Sequence, residues 1–251
     1  LYNVTEIKNA LHLDYVLPWQ QSMNLVAREI YNETAVIVHL YYDELLTECL
    51  SYLEQIPEDI DLYITSAKKE IRVNVDTRFV KVGRKNFHVI DIPNKGRDMG
   101  ALLVASKELL KKYKYVCFVH DKKTKASIGP ATIGKSFLYN MWENTLKSES
   151  YIEQILNLFQ KEERLGFLTP PPPIHAEFFG SIGQEWHNDY ENTVELAKKI
   201  GIKANFSQDI PCFALSNAFW CRTDAIMPLV EYGFTYEDLP KEPMPMDGTI
   251  S

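Results

Sequence analysis

Short apolar runs without polar alternation recur along the chain. They lie at 35–42, 61–66, 87–92 and 115–120, and they are rich in β-branched and aromatic residues. A run of this kind is typical of a strand that is buried on both faces, as the strands of a parallel sheet are. The four runs therefore predict four strands of a mostly parallel sheet.

Stretches with apolar residues at helical spacing separate these runs. They predict helices over 44–55, about 99–112, 134–146, 150–161 and 189–200. Alternation of strands with helices is the pattern of an α/β protein with helices on both faces of its sheet. The sequence therefore predicts a Rossmann-type, mostly parallel central sheet with helices on both faces.

Polar residues and prolines mark the ends of several predicted elements. Asp43 is expected to cap the first helix, and Pro57 to end it, while Ser66 is expected to cap a short helix. The second half of the chain adds two strands and a helix, predicted at 166–169, at 213–222 and from Thr223 and Asp224 to Val230.

The regular pattern starts near residue 35 and continues to the last residue. Residues 1–34 are mixed in character and are predicted to be an N-terminal lead-in segment. Strands and helices continue on both sides of the Pro170–Pro173 run, so 35–251 is interpreted as one domain. The chain has no starting Met, and 248–251 resemble the opening of a helix. We therefore expect it to be a segment of a longer protein.

The composition is that of an ordinary globular protein. The chain has 251 residues, of which 45% are hydrophobic and 24% charged. Its formal net charge is −7 and its pI is about 5.5, which argues against nucleic acid as a main partner. An anionic small ligand would need a local cationic cleft that overrides this charge.

Cysteine usage excludes two further classes of protein. Four cysteines are present, without a CxxC pair, and three of them lie in apolar runs. They are interpreted as small buried hydrophobic residues in a reducing compartment, not as zinc ligands or a disulfide framework.

No apolar stretch approaches the roughly 18 residues that a membrane-spanning helix needs.

A first polar cluster follows the third predicted strand. Residues 94–100 read Asn-Lys-Gly-Arg-Asp-Met-Gly and precede a helix. Ligands of open α/β sheets bind beyond the carboxyl ends of the strands, and a helix N-terminus offers N–H groups to phosphate. Arg97 could add a bidentate phosphate contact, and Asp98 could accept a sugar hydroxyl. The candidates are Asn94, Gly96, Arg97, Asp98 and Gly100; the alternative is a plain turn with Asp98 as the helix cap.

A second polar cluster follows the fourth predicted strand. Residues 120–123 read His-Asp-Lys-Lys, directly after a very apolar run. Asp121 is placed to hold a divalent cation, Mg²⁺ or Mn²⁺, that bridges a diphosphate. Alternatively, His120, Lys122 and Lys123 neutralise the diphosphate without a metal. The remaining alternative is a solvated turn.

Carboxylates near the end of the sequence form a third group of candidates. Glu237 and Asp238 lie together, and Asp247 follows nine residues later. A general base that takes the proton of an attacking hydroxyl is commonly a carboxylate. Asp247 is the first candidate, and the alternative is that it caps a terminal helix.

Three residues outside these clusters complete the candidate binding set. His39 lies at the end of the first strand, as a rim or core histidine. Trp220 and Arg222 bring an aromatic ring and a guanidinium near a strand end, where they could contact a sugar. Core packing is the alternative for this strand.

At these residues the chain resembles the rhamnan synthesis protein F family of bacterial polysaccharide glycosyltransferases. The similar segments extend over about 15–251 and keep their order, which is more specific than any one motif. They are 36–42, 61–65, 93–100 (Pro-Asn-Lys-Gly-Arg-Asp-Met-Gly), 120–123 (His-Asp-Lys-Lys), 166–168, 217–222 and 246–249 (Met-Asp-Gly-Thr).

The resemblance implies a GT-A-like glycosyltransferase fold. In that fold, the strand that corresponds to 115–120 ends in an Asp-x-Asp motif that binds metal and diphosphate. This chain has only Asp121 there, so metal dependence stays open. By implication, Arg97 and Asp98 contact the nucleotide sugar, and Asp247 is the base. His120 and Lys122 lie beside the diphosphate, and the Ser-Asn-Ala sequence at 216–218 departs from the family's small residues.

The sequence thus predicts an inverting glycosyltransferase that moves L-rhamnose from dTDP-L-rhamnose, or a similar donor, onto a growing bacterial surface polysaccharide. Residues 35–125 form the expected nucleotide-sugar-binding half and 126–251 the acceptor half. The expected partners are the nucleotide-sugar donor and a glycan or lipid-linked glycan acceptor. The expected location is cytoplasmic, at the inner face of the bacterial cell membrane, with membrane association through parts outside the chain.

Two other functions are weighed against this hypothesis. A non-catalytic glycan- or nucleotide-binding module would keep the fold without turnover, and the missing Asp-x-Asp motif favours it. A nucleotidyltransferase is less well supported, because no Gly-rich, Lys-bearing segment lies near the first strand.

Overall fold

A single sheet of six strands organises the part of the chain that the structure describes. The computed structural model describes residues 15–17, 28–123, 131–171, 186, 189–209 and 217–242. The strands are β1 (Thr34–His39), β2 (Asp61–Ser66), β3 (Phe87–Asp91), β4 (Tyr115–His120), β5 (Phe167–Leu168) and β6 (Phe219–Arg222).

The sheet is mostly parallel, in the order β3-β2-β1-β4-β6-β5. β1 pairs in parallel with β2 and β4, and β2 pairs in parallel with β3. β6 runs antiparallel to both β4 and β5. The prediction of an α/β protein with a mostly parallel central sheet is confirmed, and the four apolar runs are β1 to β4.

Helices cover both faces of this sheet. They are α1 (Glu29–Asn32), α2 (Leu46–Leu53), α3 (Lys69–Val82), α4 (Arg97–Met99), α5 (Lys107–Leu110), α6 (Ala131–Glu143), α7 (Glu149–Lys161), α8 (Tyr190–Lys199) and α9 (Thr223–Glu231). Short 3₁₀ turns occupy Asp43–Leu45 and Tyr236–Asp238, and a π-helical segment, Gly100–Ala105, joins α4 to α5. Within the described residues, no helix is both long and apolar enough to cross a bilayer.

The alternation of side chains along β1 divides the core into two layers. Val36 and Val38 belong to the cluster that includes apolar residues of α2, α3, α6 and α7. Ala35 and Ile37 belong to the cluster on the other face, with residues of the π-helical segment and α9. All four side chains are fully buried, and complete burial of a Val or Ile side chain is worth roughly 2 kcal/mol. This two-sided burial explains why β1 has no polar alternation.

Two details of the helices differ from the sequence predictions. The helix after Ser66 is not short: α3 has 14 residues, because Ile71, Val75 and Phe79 recur at i, i+4 and pack into the core. Asp43 does not cap α2, since it lies in the 3₁₀ turn and its carboxylate pairs with Lys68 at 2.6 Å.

Candidate functional site

Two histidines stand side by side at the carboxyl edge of the sheet. His39 ends β1 and His120 ends β4, and the parallel register makes them partners. Both side chains are more than nine-tenths buried, at 8% and 6% exposure of the residue. Parallel strands end at the same edge, so the register alone brings these two residues together.

His120 has a fixed orientation. Its Nδ1 lies 2.7 Å from the carbonyl oxygen of Asp121, to which the Nδ1–H donates, and its own carbonyl accepts the Trp142 indole N–H at 3.1 Å. The other ring nitrogen, Nε2, lies 3.7 Å from Oδ2 of Asp98. The two polar clusters at 94–100 and 120–123 therefore meet at this point.

Asp98 is a buried carboxylate with a second partner. Its side chain is 16% exposed, and its Oδ2 accepts a hydrogen bond from Asn217 Nδ2 at 2.7 Å. Burial alone would raise the pKa of Asp98, but His120, Asn217 and Lys122 outweigh burial and hold this pKa below its usual value. Asp98 is therefore ionised at neutral pH. It does not act as the helix cap, because α4 begins at Arg97 and Gly96 occupies the cap position.

His39 is held neutral by its surroundings. Burial, together with the neighbouring His120, lowers the pKa of His39 to about 4 against the attraction of Asp98. The Thr65 hydroxyl donates to the carbonyl of Val38 at 3.1 Å, so it accepts from His39 Nδ1–H at 3.1 Å. His39 is thus a neutral imidazole whose Nε2 carries a lone pair.

Asp121 connects β4 to the segment after β1. Its Oδ2 accepts the backbone N–H groups of Tyr41 at 2.8 Å and Tyr42 at 2.7 Å. Burial raises its pKa to about 6 against these two bonds. Over the described ranges, no group of three or more His, Cys, Asp and Glu residues is arranged to hold a metal ion. Binding of Mg²⁺ or Mn²⁺ at Asp121 stays a prediction, and the chemistry proposed below does not use it.

Exposed cations and tyrosines form the rim of the edge. Lys68 Nζ lies 4.7 Å above the centre of the Tyr41 ring, and the Tyr41 hydroxyl accepts from Asn94 Nδ2 at 3.4 Å. Lys122 lies over the ring of Phe137, and Lys123 pairs with Glu44. The candidates Asn94, Lys122 and Lys123 therefore lie on the exposed side of the buried Asp98–His120 pair.

The glycines at 96 and 100 have a packing role. A Cβ on Gly96 would collide with the Leu239 side chain, and one on Gly100 would collide with the carbonyl of Lys95. Leu239 is 3% exposed and covers this turn. Packing therefore accounts for both glycines, and their contact with a ligand stays a prediction.

Leu239 belongs to a segment, 236–242, that docks on the turn. Glu242 pairs with Arg97 at 2.9 Å. Asp238 accepts the backbone N–H and the hydroxyl of Thr235, each at 2.8 Å, as part of a capping box. These bonds lower the pKa of Asp238, so it is a cap and a poor base, which corrects its assignment. Glu237 is exposed, and Asp247 lies outside the described residues.

Trp220 and Arg222 do not belong to the site. β6 runs antiparallel to β4, so Arg222 pairs with Tyr115 at the opposite end of the strand from His120. Its guanidinium donates to the carbonyl of Leu165 at 2.9 Å and to Phe159 and Glu162 at the end of α7. Trp220 is 1% exposed, with its indole N–H bonded to Thr145. Core packing and helix capping replace the predicted sugar contacts.

Backbone strain is concentrated at the site. Among the described residues other than glycine, a positive φ occurs at Arg97 (46°) and Asn217 (47°). Both flank Asp98, one along the chain and one through a hydrogen bond. Such strain persists only where the surroundings enforce it, and it is frequent at binding sites. Sequence analysis missed the role of Asn217, since its only signal was the departure from small residues at 216–218.

The fold and the site define a Rossmann-like α/β protein with a charged, partly buried cluster at the carboxyl edge of its parallel strands. The sequence profile of the rhamnan synthesis protein F family matches residues 1–251, so the chain belongs to that family. The family connects the chain with polysaccharide synthesis.

Curated relatives were found in Xanthomonas campestris pv. campestris. The uncharacterized protein WxcX, in strain B100 and in a second strain, is 27% identical over 233 residues, which make up 90% of this chain. The chain spans 31% of the length of these relatives.

Proposed function

We propose that this chain is the transferase domain of a GT-A-like glycosyltransferase. It moves L-rhamnose from dTDP-L-rhamnose onto a growing bacterial surface polysaccharide, with inversion at the transferred carbon. The observation that carries the proposal is the Asp98–His120 pair at the carboxyl edge, with Arg97 beside it, in a chain of the rhamnan synthesis protein F family.

The proposed donor site combines the two clusters. Cations near a departing diphosphate stabilise the charge that develops on its oxygens. His120, with Nδ1–H bonded to a carbonyl, presents Nε2 toward the site, and a protonated Nε2 donates to a phosphate oxygen. The Asp98 carboxylate lies 3.7 Å from this nitrogen, and Arg97 and Lys122 supply positive charge. These groups are the proposed local cationic surface of the negatively charged chain, and the carboxylates of Asp98 and Glu242 lie beside them.

The proposed reaction is a single displacement. The acceptor hydroxyl attacks C1 of the sugar, the new C–O bond forms, and the bond from C1 to the diphosphate oxygen breaks. dTDP leaves with the electron pair, and a carboxylate takes the hydroxyl proton. Asp247 is the proposed base, and Glu237 is the alternative that lies in the described, exposed part of the chain. Attack opposite to the leaving group produces inversion.

The proposed acceptor is a glycan or a lipid-linked glycan at the inner face of the bacterial membrane. Nucleotide sugars and the acceptor would meet there, with membrane association provided by parts of a longer protein. This location is supported by the family's connection with polysaccharide synthesis.

The proposal is tested by nucleotide release from a panel of dTDP-, UDP- and GDP-sugars, with and without EDTA. We expect release from dTDP-L-rhamnose, and a decrease of at least about a hundredfold in His120→Gln, typical of losing a charged transition-state contact. His88→Gln removes an exposed histidine on β3 and is the matched control. Equal rates in both variants would contradict the role of His120.

A binding module is the second candidate, because Leu239 covers the turn that was predicted to receive phosphate. Two results together would favour this module over the transferase. They are tight binding of dTDP, with an affinity that is unchanged in Asp247→Ala, and no release of nucleotide from any of the nucleotide sugars. The absence of any nucleotide-dependent shift in melting temperature would count against both functions.

A further inference from the structure

Asn217 approaches Asp98 from a distant part of the sequence. The two residues are 119 positions apart, and their side chains share a 2.7 Å hydrogen bond. The sheet explains the encounter. β6 is antiparallel to β4 with Phe219 opposite Phe118, so extending this register by two residues places Asn217 opposite His120. A strand antiparallel to β4 starts where β4 ends, and Asn217, two residues before β6, therefore reaches the carboxyl edge.

The backbone of Asn217 indicates that the side chain, and not only the turn, is required. Its φ of 47° lies in the left-handed region, which glycine occupies without cost. Glycine stands at four other described positive-φ positions, namely Gly83, Gly96, Gly201 and Gly233. Asn217 keeps a side chain in spite of the strain, and its amide is bonded to Asp98.

Resting on the proposed function, we propose that Asn217 is a positioning residue of the donor site, which holds the Asp98 carboxylate in place against His120. Asp98 is buried, and a buried carboxylate without hydrogen-bond donors takes up a proton. A neutral Asp98 no longer attracts the His120 ring, 3.7 Å away, and its placement beside the proposed diphosphate site is lost. Asn217 thus acts on the reaction through Asp98 and His120, without touching the donor.

The variant Asn217→Gly tests this role, because it relieves the backbone and removes only the amide. We expect a melting temperature at or above that of the wild type and a pKa of Asp98 that rises, measured by ¹³C NMR of the carboxylates. In nucleotide release from dTDP-L-rhamnose, kcat should fall about tenfold to a hundredfold, the cost of a hydrogen bond to a charged group. The acid limb of the kcat/KM profile should move to higher pH.

Two further variants keep the test sharp. Asn86→Gly loses a side-chain amide bond of 2.9 Å, to the backbone carbonyl of Glu58, away from the site and should leave the pH profile unchanged. The exchange Asp98→Asn with Asn217→Asp keeps an amide–carboxylate pair but moves the charge, and it should stay inactive. Restored activity in the exchange variant would overturn the proposal.

The outcomes separate this proposal from the proposed function. An unchanged pKa of Asp98 in Asn217→Gly would overturn the positioning role, whatever the activity. If the wild type releases no nucleotide from any donor, the proposed function fails, while a raised pKa of Asp98 in the variant would still support the Asn217–Asp98 coupling.

Discussion

At the scale of single residues, the site combines two histidines that have different neighbours. His120 lies beside a carboxylate, whereas His39 is buried against a hydroxyl and stays neutral. The difference arises from their neighbours, since the two residues are register partners at the ends of adjacent strands. His39 is therefore suited to accepting a hydrogen bond, while His120 is the histidine that the proposed function places at the diphosphate.

Protonation of His39 should destabilise the fold in mild acid. Its pKa is about 4 when folded and 6.5 as the unfolded reference, so the unfolded chain binds more protons between these values. The free energy of unfolding should therefore fall as pH drops from 6.5 to 4, by up to about 3 kcal/mol. Urea denaturation of the wild type and of His39→Gln across this pH range measures the decrease in the free energy of unfolding that His39 causes. Asp121 titrates in the opposite sense in both proteins, so a difference that does not vary with pH would refute the prediction.

Gly96 should be far less tolerant of alanine than Gly83, although both have positive φ. A Cβ at Gly83 meets nothing within 4 Å, whereas one at Gly96 meets Leu239. We expect Gly83→Ala to cost about 1 kcal/mol and Gly96→Ala about 3 kcal/mol, since strain and overpacking add. Chemical denaturation of both variants checks this. Leu239→Ala should reduce the cost of Gly96→Ala, and equal costs in both backgrounds would show that the collision is absent.

The sequence could predict Asp98 and His120 because each closely follows an apolar strand, and parallel strands end at one edge. It could not predict Asn217, Tyr41 or Tyr42, because their contacts depend on the antiparallel register of β6 and on the fold of the segment after β1. For the same reason, Trp220 and Arg222 were assigned to the wrong end of the sheet.

At the scale of elements, β6 has separate functions at its two ends. Asn217, two residues before its start, reaches the site, while Arg222 at its other end binds the carboxyl end of α7. The apolar periodicity predicted most helices within a few residues. It missed the length of α3, because the apolar face of this helix is narrow. It also missed the π-helical segment, because the wider turn of a π-helix is not visible in the spacing of the apolar residues.

Arg222→Lys should destabilise the protein without affecting the site. The planar guanidinium donates to Leu165, Glu162 and the Tyr115 hydroxyl, and a lysine ammonium cannot reproduce this fork. We expect a loss of about 2 kcal/mol in thermal or urea unfolding, with dTDP affinity unchanged at a temperature where the variant is folded. Weakened dTDP binding in the folded variant would return Arg222 to the site.

At the scale of the whole molecule, the chain carries a net charge of −7, and three cations at the carboxyl edge of its sheet each pair with a carboxylate: Lys68 with Asp43, Arg97 with Glu242 and Lys123 with Glu44. The anionic donor of the proposed reaction is therefore repelled at long range by the net charge of the chain, before it comes close enough to be attracted by the cations of the proposed site. Salt screens charges that are far apart and exposed more than those that are close and buried.

The association rate of dTDP should therefore rise as NaCl increases from about 10 mM to about 150 mM, because the long-range repulsion is screened first. Stopped-flow tryptophan fluorescence measures the rate, and uncharged thymidine, whose rate should not respond to salt, is the control. A rate that falls with salt would show that the local cationic surface dominates at long range.

The docking of 236–242 on the turn at 96–100 has a consequence for biosynthesis. Arg97 and Glu242 are 145 residues apart. Leu239 covers Gly96, which the ribosome adds to the chain much earlier. A chain that emerges from the ribosome N-terminus first can pair β1 to β4 well before this cover exists. The nascent protein thus passes through a stage in which β1 to β4 are assembled while the turn beside Asp98 is still uncovered, and the turn is covered only after 236–242 have been synthesised.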